Sequence, residues 1–218
     1  LDAVPLPHQQ EPLAFGTRPD DDRWTAFVAG TRMAFISVQA DEAEYYTKIE
    51  SKQEQTKLAQ GLPNVGDSSK SNKREAETVA RLIHTLCQLY SRSGIPFSPC
   101  KQIGIIVPFR AQIAMIRKAL AERHIPDTAD ITIDTVERYQ GSQRDIIIFS
   151  TTVSRPYQLS ILSEPVMTDG REIDRKLNVA LTRARKQFFM TGNETLLRNC
   201  TAYRKFLDFL SKEQILRL

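Results

Sequence analysis

The sequence predicts an α/β fold, a three-layer, doubly wound parallel sheet, and three observations carry that expectation. From residue 72 onward, apolar runs of strand length alternate with stretches of helical periodicity, the pattern of consecutive βαβ units. The run Ile103-Gly104-Ile105-Ile106-Val107 is apolar throughout, the mark of a strand covered on both faces. Polar residues gather where the strands end, as in Pro108-Phe109-Arg110 and Asp134-Thr135, which is how an α/β domain presents a binding edge.

Residues 1–32 show little periodicity and carry Pro5, Pro7, Pro12, Pro19 and the acidic run Asp20-Asp21-Asp22. They read as a connector or loosely packed arm. Residues 33–38 are a short strand, and 33–218 are expected to form one domain. A polar insertion around 42–71, with Gly61, Pro63, Gly66 and a short helix near 42–59, interrupts it. Asn72 followed by Glu75 resembles a helix N-cap with its reciprocal acceptor. Ala76, Val79, Ala80, Ile83, Leu86, Cys87 and Tyr90 then recur at helical spacing, and Gly94 and Pro96 end that helix. After the 103–107 strand, Ile113, Ile116, Ala119 and Leu120 mark one helix face. Strands are expected near 131–134 and 145–152, a helix through 177–185, a strand at 187–191 and a closing helix over 203–210. There is no internal repeat.

At 218 residues with 41% hydrophobic and 26% charged side chains, the chain suits one large domain with a substantial core. No apolar run approaches the roughly 20 residues of a membrane span. The chain begins Leu1-Asp2-Ala3 and reads as an excised fragment. Cys87, Cys100 and Cys200 are far apart and not at metal-ligand spacing. They favour a reduced intracellular compartment, cytoplasmic, or nuclear in a eukaryote. Charge is uneven: residues 1–69 hold 11 acidic against 6 basic side chains, residues 70–218 hold 24 basic against 15 acidic. A basic C-terminal two-thirds suits a polyanionic partner, and equally an ordinary solvated face.

Three blocks carry candidate chemistry. In residues 103–112, Pro108 stops the strand and Arg110 stands where the next helix begins. Free N–H groups there favour an anion, and a guanidinium adds a planar fork for phosphate oxygens. A surface Arg packed over Phe109 is the plain alternative. In residues 133–145, Thr135 ends a strand and Gln140-Gly141-Ser142-Gln143 precedes another. Gly141 permits a tight turn or a close backbone approach, and the two amides can read a sugar or base edge. In residues 177–185, Leu177, Ala180, Leu181 and Ala184 form one buried helical stripe, with Arg183 on its flank. A packed stem and a rim-held head suit an arginine finger; offsetting a helix dipole is the simpler use.

Taken together, in this order and spacing, the blocks closely resemble motifs IV, V and VI of superfamily 1 helicases, in the branch that includes the nonsense-mediated-decay helicase. The match covers about residues 70–210, and Asn72-x-x-Glu75-Ala76 resembles a signature just upstream. The resemblance implies the C-terminal RecA-like lobe of an ATP-dependent helicase, a P-loop NTPase fold here without the P-loop. ATP and Mg²⁺ are then held mainly by an N-terminal RecA-like lobe outside this chain. By that resemblance Arg110 and Arg183 reach the γ-phosphate, and Gln140, Gly141 and Gln143 line the nucleotide cleft. Asn72, Pro108 and Thr135 lie along the path of single-stranded DNA or RNA, and no residue here ligates metal. The family usually has Glu where this chain has Gln143, and the 155–173 segment is longer and more polar than a minimal link. A nucleic-acid-binding module without motor activity, and part of a helicase–nuclease fusion, are the alternative readings.

Overall fold

The structure, a computed structural model, describes residue 13 and residues 15–38, 70–139, 143–168 and 170–218. Gln140, Gly141 and nearly all of the expected 42–71 insertion, with its short helix, lie outside the described residues. In chain order, α1 (Arg23–Gly30) leads into β1 (Met33–Ser37). Then come α2 (Lys73–Arg92), α3 (Pro99–Gln102), β2 (Ile103–Val107), α4 (Arg110–Glu122), β3 (Thr132–Thr135) and β4 (Arg144–Ser150). A 3-10 turn (Pro156–Gln158), α5 (Leu159–Leu162) and the strands β5 (Pro165–Thr168) and β6 (Arg171–Asp174) follow. The chain continues through α6 (Arg175–Thr182), β7 (Ala184–Gly192), α7 (Glu194–Leu197), α8 (Thr201–Phe209) and β8 (Ile215–Arg217).

Six strands form one sheet in the order β3-β2-β4-β7-β1-β8, and every pairing in it is parallel. Alternation along the strands sorts two cores. Ile103, Ile105, Val107, Ile146, Ile148, Ala34, Ile36 and Phe189 pack toward α1, α2 and α4. Ile106, Ile147, Phe149, Phe35, Phe188 and Met190 pack with Leu177, Ala180, Tyr203, Phe206 and Leu207 of α6 and α8 on the other face. Both faces are covered, so the central strands read as continuous apolar runs. This is the expected three-layer, doubly wound, RecA-like arrangement.

Local rules fix the helix starts. Asn72 Oδ1 accepts the Glu75 N–H at 3.0 Å, Asp174 Oδ1 the Leu177 N–H at 2.7 Å, and Asp22 Oδ1 the Thr25 N–H at 2.6 Å, each relieving one orphan donor of the first turn. α2 ends at Ser93, followed by Gly94 at φ 64°.

Several expectations change. The described part of the supposed arm holds α1, which buries Trp24, Phe27, Val28 and Ala29. Trp24 Nε1 donates to Thr85 Oγ1 at 2.8 Å, Arg81 lies 4.2 Å over the Trp24 ring, and Arg92 binds Asp21 and the Gly16 carbonyl. An eight-residue helix behind an acidic, Pro-bearing stretch is too short for its periodicity to stand out. The expected 177–185 helix stops at Thr182, so Arg183 caps it and Arg185 lies in β7. Ala184 fits the helical stripe only by coincidence of spacing; its backbone pairs with Arg144 in the β4–β7 ladder. The long 155–173 link forms the antiparallel β5–β6 hairpin beside the main sheet.

Gly104 shows how close the packing is. A Cβ there meets Tyr139 Oη at 1.8 Å and Cζ at 2.7 Å, and Tyr139 is 1% exposed. Gly104→Ala is expected to destabilise by about 1–3 kcal/mol through overpacking, read as a lower urea midpoint. An unchanged midpoint means the ring moves freely. The Tyr139 hydroxyl has no hydrogen-bond partner among the described residues, so Tyr139→Phe is expected to be neutral or stabilising.

Candidate nucleotide and nucleic-acid edges

Because the sheet is all parallel, its two ends differ chemically, and the candidate residues divide between them. At the carboxyl edge stand Pro108 and Arg110 after β2, Thr135 at the end of β3, and Ser150 to Thr152 after β4. Phe109 is the N-cap of α4 in extended conformation, and Arg110 is its exposed first residue. Asn72, half-buried, starts α2 on the same edge. Its amide is engaged in the cap: Oδ1 accepts from Glu75 N, and Nδ2 donates to Glu75 Oε1 at 3.3 Å.

Beneath that edge lies a buried polar network. The Glu75 carboxylate, fully buried, accepts from Ser150 Oγ (2.8 Å), Thr191 Oγ1 (3.0 Å) and Thr152 N–H (3.1 Å). Burial pushes its pKa up to about 7, against the pull of those donors. Thr152 holds φ 62°, a left-handed conformation that costs a β-branched residue on the order of 1–3 kcal/mol. Gln112, also fully buried, accepts the Asn72 N–H at 2.7 Å through Oε1. Its Nε2 donates to the Asn72 carbonyl (3.1 Å) and to Ser150 Oγ (3.3 Å). The Asn72 N–H thus goes to Gln112, so Glu75 is not its reciprocal cap acceptor.

The amino edge carries the other set. Gln143 precedes β4 and Arg183 precedes β7, and the Arg144 N–H donates to the Arg183 carbonyl at 3.0 Å. Arg183 is half-buried, and its Nε, like Arg144 Nε, is a buried atom without a hydrogen-bond partner among the described residues. Arg144 spends its other nitrogens on the Gln143 carbonyl (2.9 Å) and Thr132 Oγ1 (3.2 Å). Arg185 Nε donates to Gln143 Oε1 at 3.4 Å, and Lys186 pairs with Asp145 at 3.0 Å. Gln143 and Arg183 therefore come together, with Arg144 and Arg185 as companions that the sequence reading gave no role. The sequence offers only part of their signal: four cations, at 144, 183, 185 and 186, lie beside two strand starts, while the pairing of those strands is visible only in the sheet.

Arg110 and Arg183 are not brought together. Ile106 of β2 is level with Phe149 and Met190, whereas Arg183 precedes Ala184 at the opposite end of β7. Six strand residues span about 20 Å at roughly 3.3 Å per residue, too far for two arginines of this lobe to close on one phosphate. The shared γ-phosphate role of Arg110 and Arg183 stays an implication of the resemblance, which their separation within this lobe does not favour. Gln112 and Glu75 were legible as anomalies, polar residues on apolar helical stripes: Gln112 in register with Ile116 and Ala119, Glu75 with Val79 and Leu82. Among the described residues no group of three or more His, Cys, Asp or Glu side chains could hold a metal ion. No helix among them is long and apolar enough to cross a membrane.

Known proteins bear on these edges. The family model described as an AAA domain matches residues 19–195. The putative helicase MOV-10 of Gallus gallus is 32% identical over 155 residues, 65% of this chain and 15% of that protein. The DNA polymerase alpha-associated DNA helicase A of Saccharomyces cerevisiae is 34% identical over 103 residues, 47% of the chain and 14% of the relative. The DNA replication ATP-dependent helicase/nuclease DNA2 of Bos taurus is 31% identical over 139 residues, 63% and 12% respectively. The chain thus spans about a seventh of these relatives. Family match, motif order and parallel-sheet fold agree: the chain belongs to the AAA domain family as a C-terminal helicase domain of superfamily 1.

Proposed function

We propose that the chain is the second motor lobe of an ATP-dependent helicase, active only when joined to a lobe that carries the P-loop. The observation that carries this reading is the division of candidate residues between two edges. Arg183 and Gln143 serve the nucleotide at the amino edge, and the Gln140 and Gly141 implied by the resemblance lie outside the described residues. Asn72, Pro108, Thr135 and Arg110 serve single-stranded nucleic acid at the carboxyl edge, with Arg110 on a backbone phosphate rather than on ATP.

The residues fit part of a nucleotide. Arg183 Nε has no acceptor among the described residues; such a group costs about 1–3 kcal/mol unsatisfied, and a phosphate oxygen satisfies it once lobe closure makes it accessible. Gln143 is exposed and offers both an acceptor and donors to a ribose hydroxyl. ATP supplies the phosphoryl group, and its Mg²⁺ is assigned to the partner lobe, as the resemblance implies. Closing of the two lobes brings Arg183 to the γ-phosphate while the carboxyl edge shifts along the strand, a domain-closure motor. The intervening β4 and β7 link the two edges rigidly.

The test uses the chain itself. It is expected to fold, to leave ATP unhydrolysed with or without single-stranded oligonucleotide, and to bind that oligonucleotide weakly. Nonspecific affinity of about micromolar or weaker, falling steeply with salt, is expected from phosphate contacts alone. Robust turnover lost on Arg183→Ala sinks the half-motor reading; tight, salt-independent binding favours a dedicated binding module.

A further inference from the structure

We propose that Gln112 is a positioning residue for nucleic acid: by clamping the backbone of Asn72 it holds the starts of α2 and α4 side by side as one basic contact surface. This rests on the reading that the strand runs over the carboxyl edge.

Gln112 is 0% exposed and projects from the apolar face of α4. A residue there for packing alone needs only carbon, and burying an amide is unfavourable unless its groups are paired. Here they are paired with one peptide unit's surroundings. Oε1 accepts the Asn72 N–H at 2.7 Å while Nε2 returns to the Asn72 carbonyl at 3.1 Å and reaches Ser150 Oγ at 3.3 Å. Only a primary amide accepts and donates at once in this geometry. Asn72 is in turn the N-cap of α2, so the clamp fixes where that helix begins. Ser150 also donates to Glu75, which ties the clamp to the end of β4.

The clamp sets three cationic groups together. Lys73, the first residue of α2, has a side chain 76% exposed; Arg110, the first residue of α4, and Lys70, just before α2, are exposed as well. Two helix N-termini face the same edge, where their dipoles favour a phosphate backbone. Without the clamp, α2 and α4 still pack through Val79, Ile83 and Ile116, but the register of their first turns is free to drift. Gln112 touches no ligand in this arrangement. It acts through Lys73 and Arg110.

The experiment measures anisotropy of fluorescein-labelled oligothymidylate and oligouridylate with the wild-type chain and with Gln112→Met, which keeps volume but loses all three hydrogen bonds. Gln112→Glu, which keeps the acceptor alone, is the second variant should Gln112→Met fold poorly. Each is combined with Lys73→Ala and Arg110→Ala. Gln112→Met is expected to weaken binding on the order of fivefold and to flatten the salt dependence by about one released counterion. The losses caused by Lys73→Ala and Arg110→Ala are expected to shrink in its background, with Gln112→Glu between wild type and Gln112→Met. A structural role alone lowers the melting temperature and leaves those losses undiminished, and that result overturns the proposal. If Lys73→Ala and Arg110→Ala leave wild-type binding unchanged, or the wild-type chain binds neither oligonucleotide, the carboxyl-edge reading itself fails and the proposal with it.

Discussion

Arg183→Ala, in an enzyme that joins this lobe to its P-loop partner, is expected to lose turnover by a factor on the order of 10³ or more while binding ATP almost as well as wild type. An arginine finger meets charge that grows on the transferred phosphoryl group, so its loss falls on the catalytic rate constant rather than on ground-state affinity. The position suits that task. Arg183 sits at the junction of α6 and β7, where its carbonyl is held by the Arg144 N–H. Its stem is half-buried, and its Nε has no partner among the described residues, so the guanidinium carries an unspent donor. Arg183→Lys is expected to rescue little, because an ammonium lacks the planar fork. Arg185 is a poor control, since its Nε reaches Gln143; exposed Arg204 on α8 is a better one. Saturated turnover and nucleotide affinity are measured for Arg183→Ala, Arg183→Lys and Arg204→Ala. Wild-type turnover in Arg183→Ala with a native circular dichroism spectrum reduces Arg183 to a helix-capping cation.

The amino edge also explains which parts of the site were legible in advance. Strands 103–107 and 187–191 and the helix from 73 announced themselves because burial on both faces, or on one helical stripe, leaves an unbroken apolar pattern. Arg183 was found because its block is specific as a whole. Its partners were not, since Arg144 and Arg185 become neighbours only through pairing of β4 with β7, forty residues apart in sequence and adjacent only in the ladder. The same non-locality hid Gln112. Nothing near residue 112 says that its amide meets Asn72, and a lone polar residue on an apolar stripe does not name its partner. Conversely, the pairing of Arg110 with Arg183 came from resemblance and not from spacing. Strand register separates them, because one follows a strand and the other precedes one.

Stability is expected to fall as pH rises from about 5 to 8, with Glu75 as the cause. Its carboxyl is fully buried, and burial raises its pKa from 4.5 to about 7. The groups around it are neutral: Ser150, Thr152, Thr191 and Asn72 donate to it, and no charged side chain stabilises the anion. Below about pH 4.5 the carboxyl is protonated folded and unfolded alike, so it adds no pH dependence. Between 4.5 and 7 the unfolded chain releases the proton and the folded chain retains it, so each step upward in pH favours unfolding. Above 7 the loss is complete, and a shift of this size corresponds to at most about 3 kcal/mol. Glu75→Gln removes the titration; with its amide oxygen in the Oε2 position it still accepts from the Thr152 N–H and the Ser150 and Thr191 hydroxyls, and its amide nitrogen is left facing one donor, Asn72 Nδ2. Urea unfolding of both proteins across this pH range is expected to show the wild type losing on the order of 1–3 kcal/mol relative to Glu75→Gln. Parallel curves mean that the four donors hold the carboxylate ionised throughout, and that hydrogen bonding, not desolvation, governs the heart of the carboxyl edge.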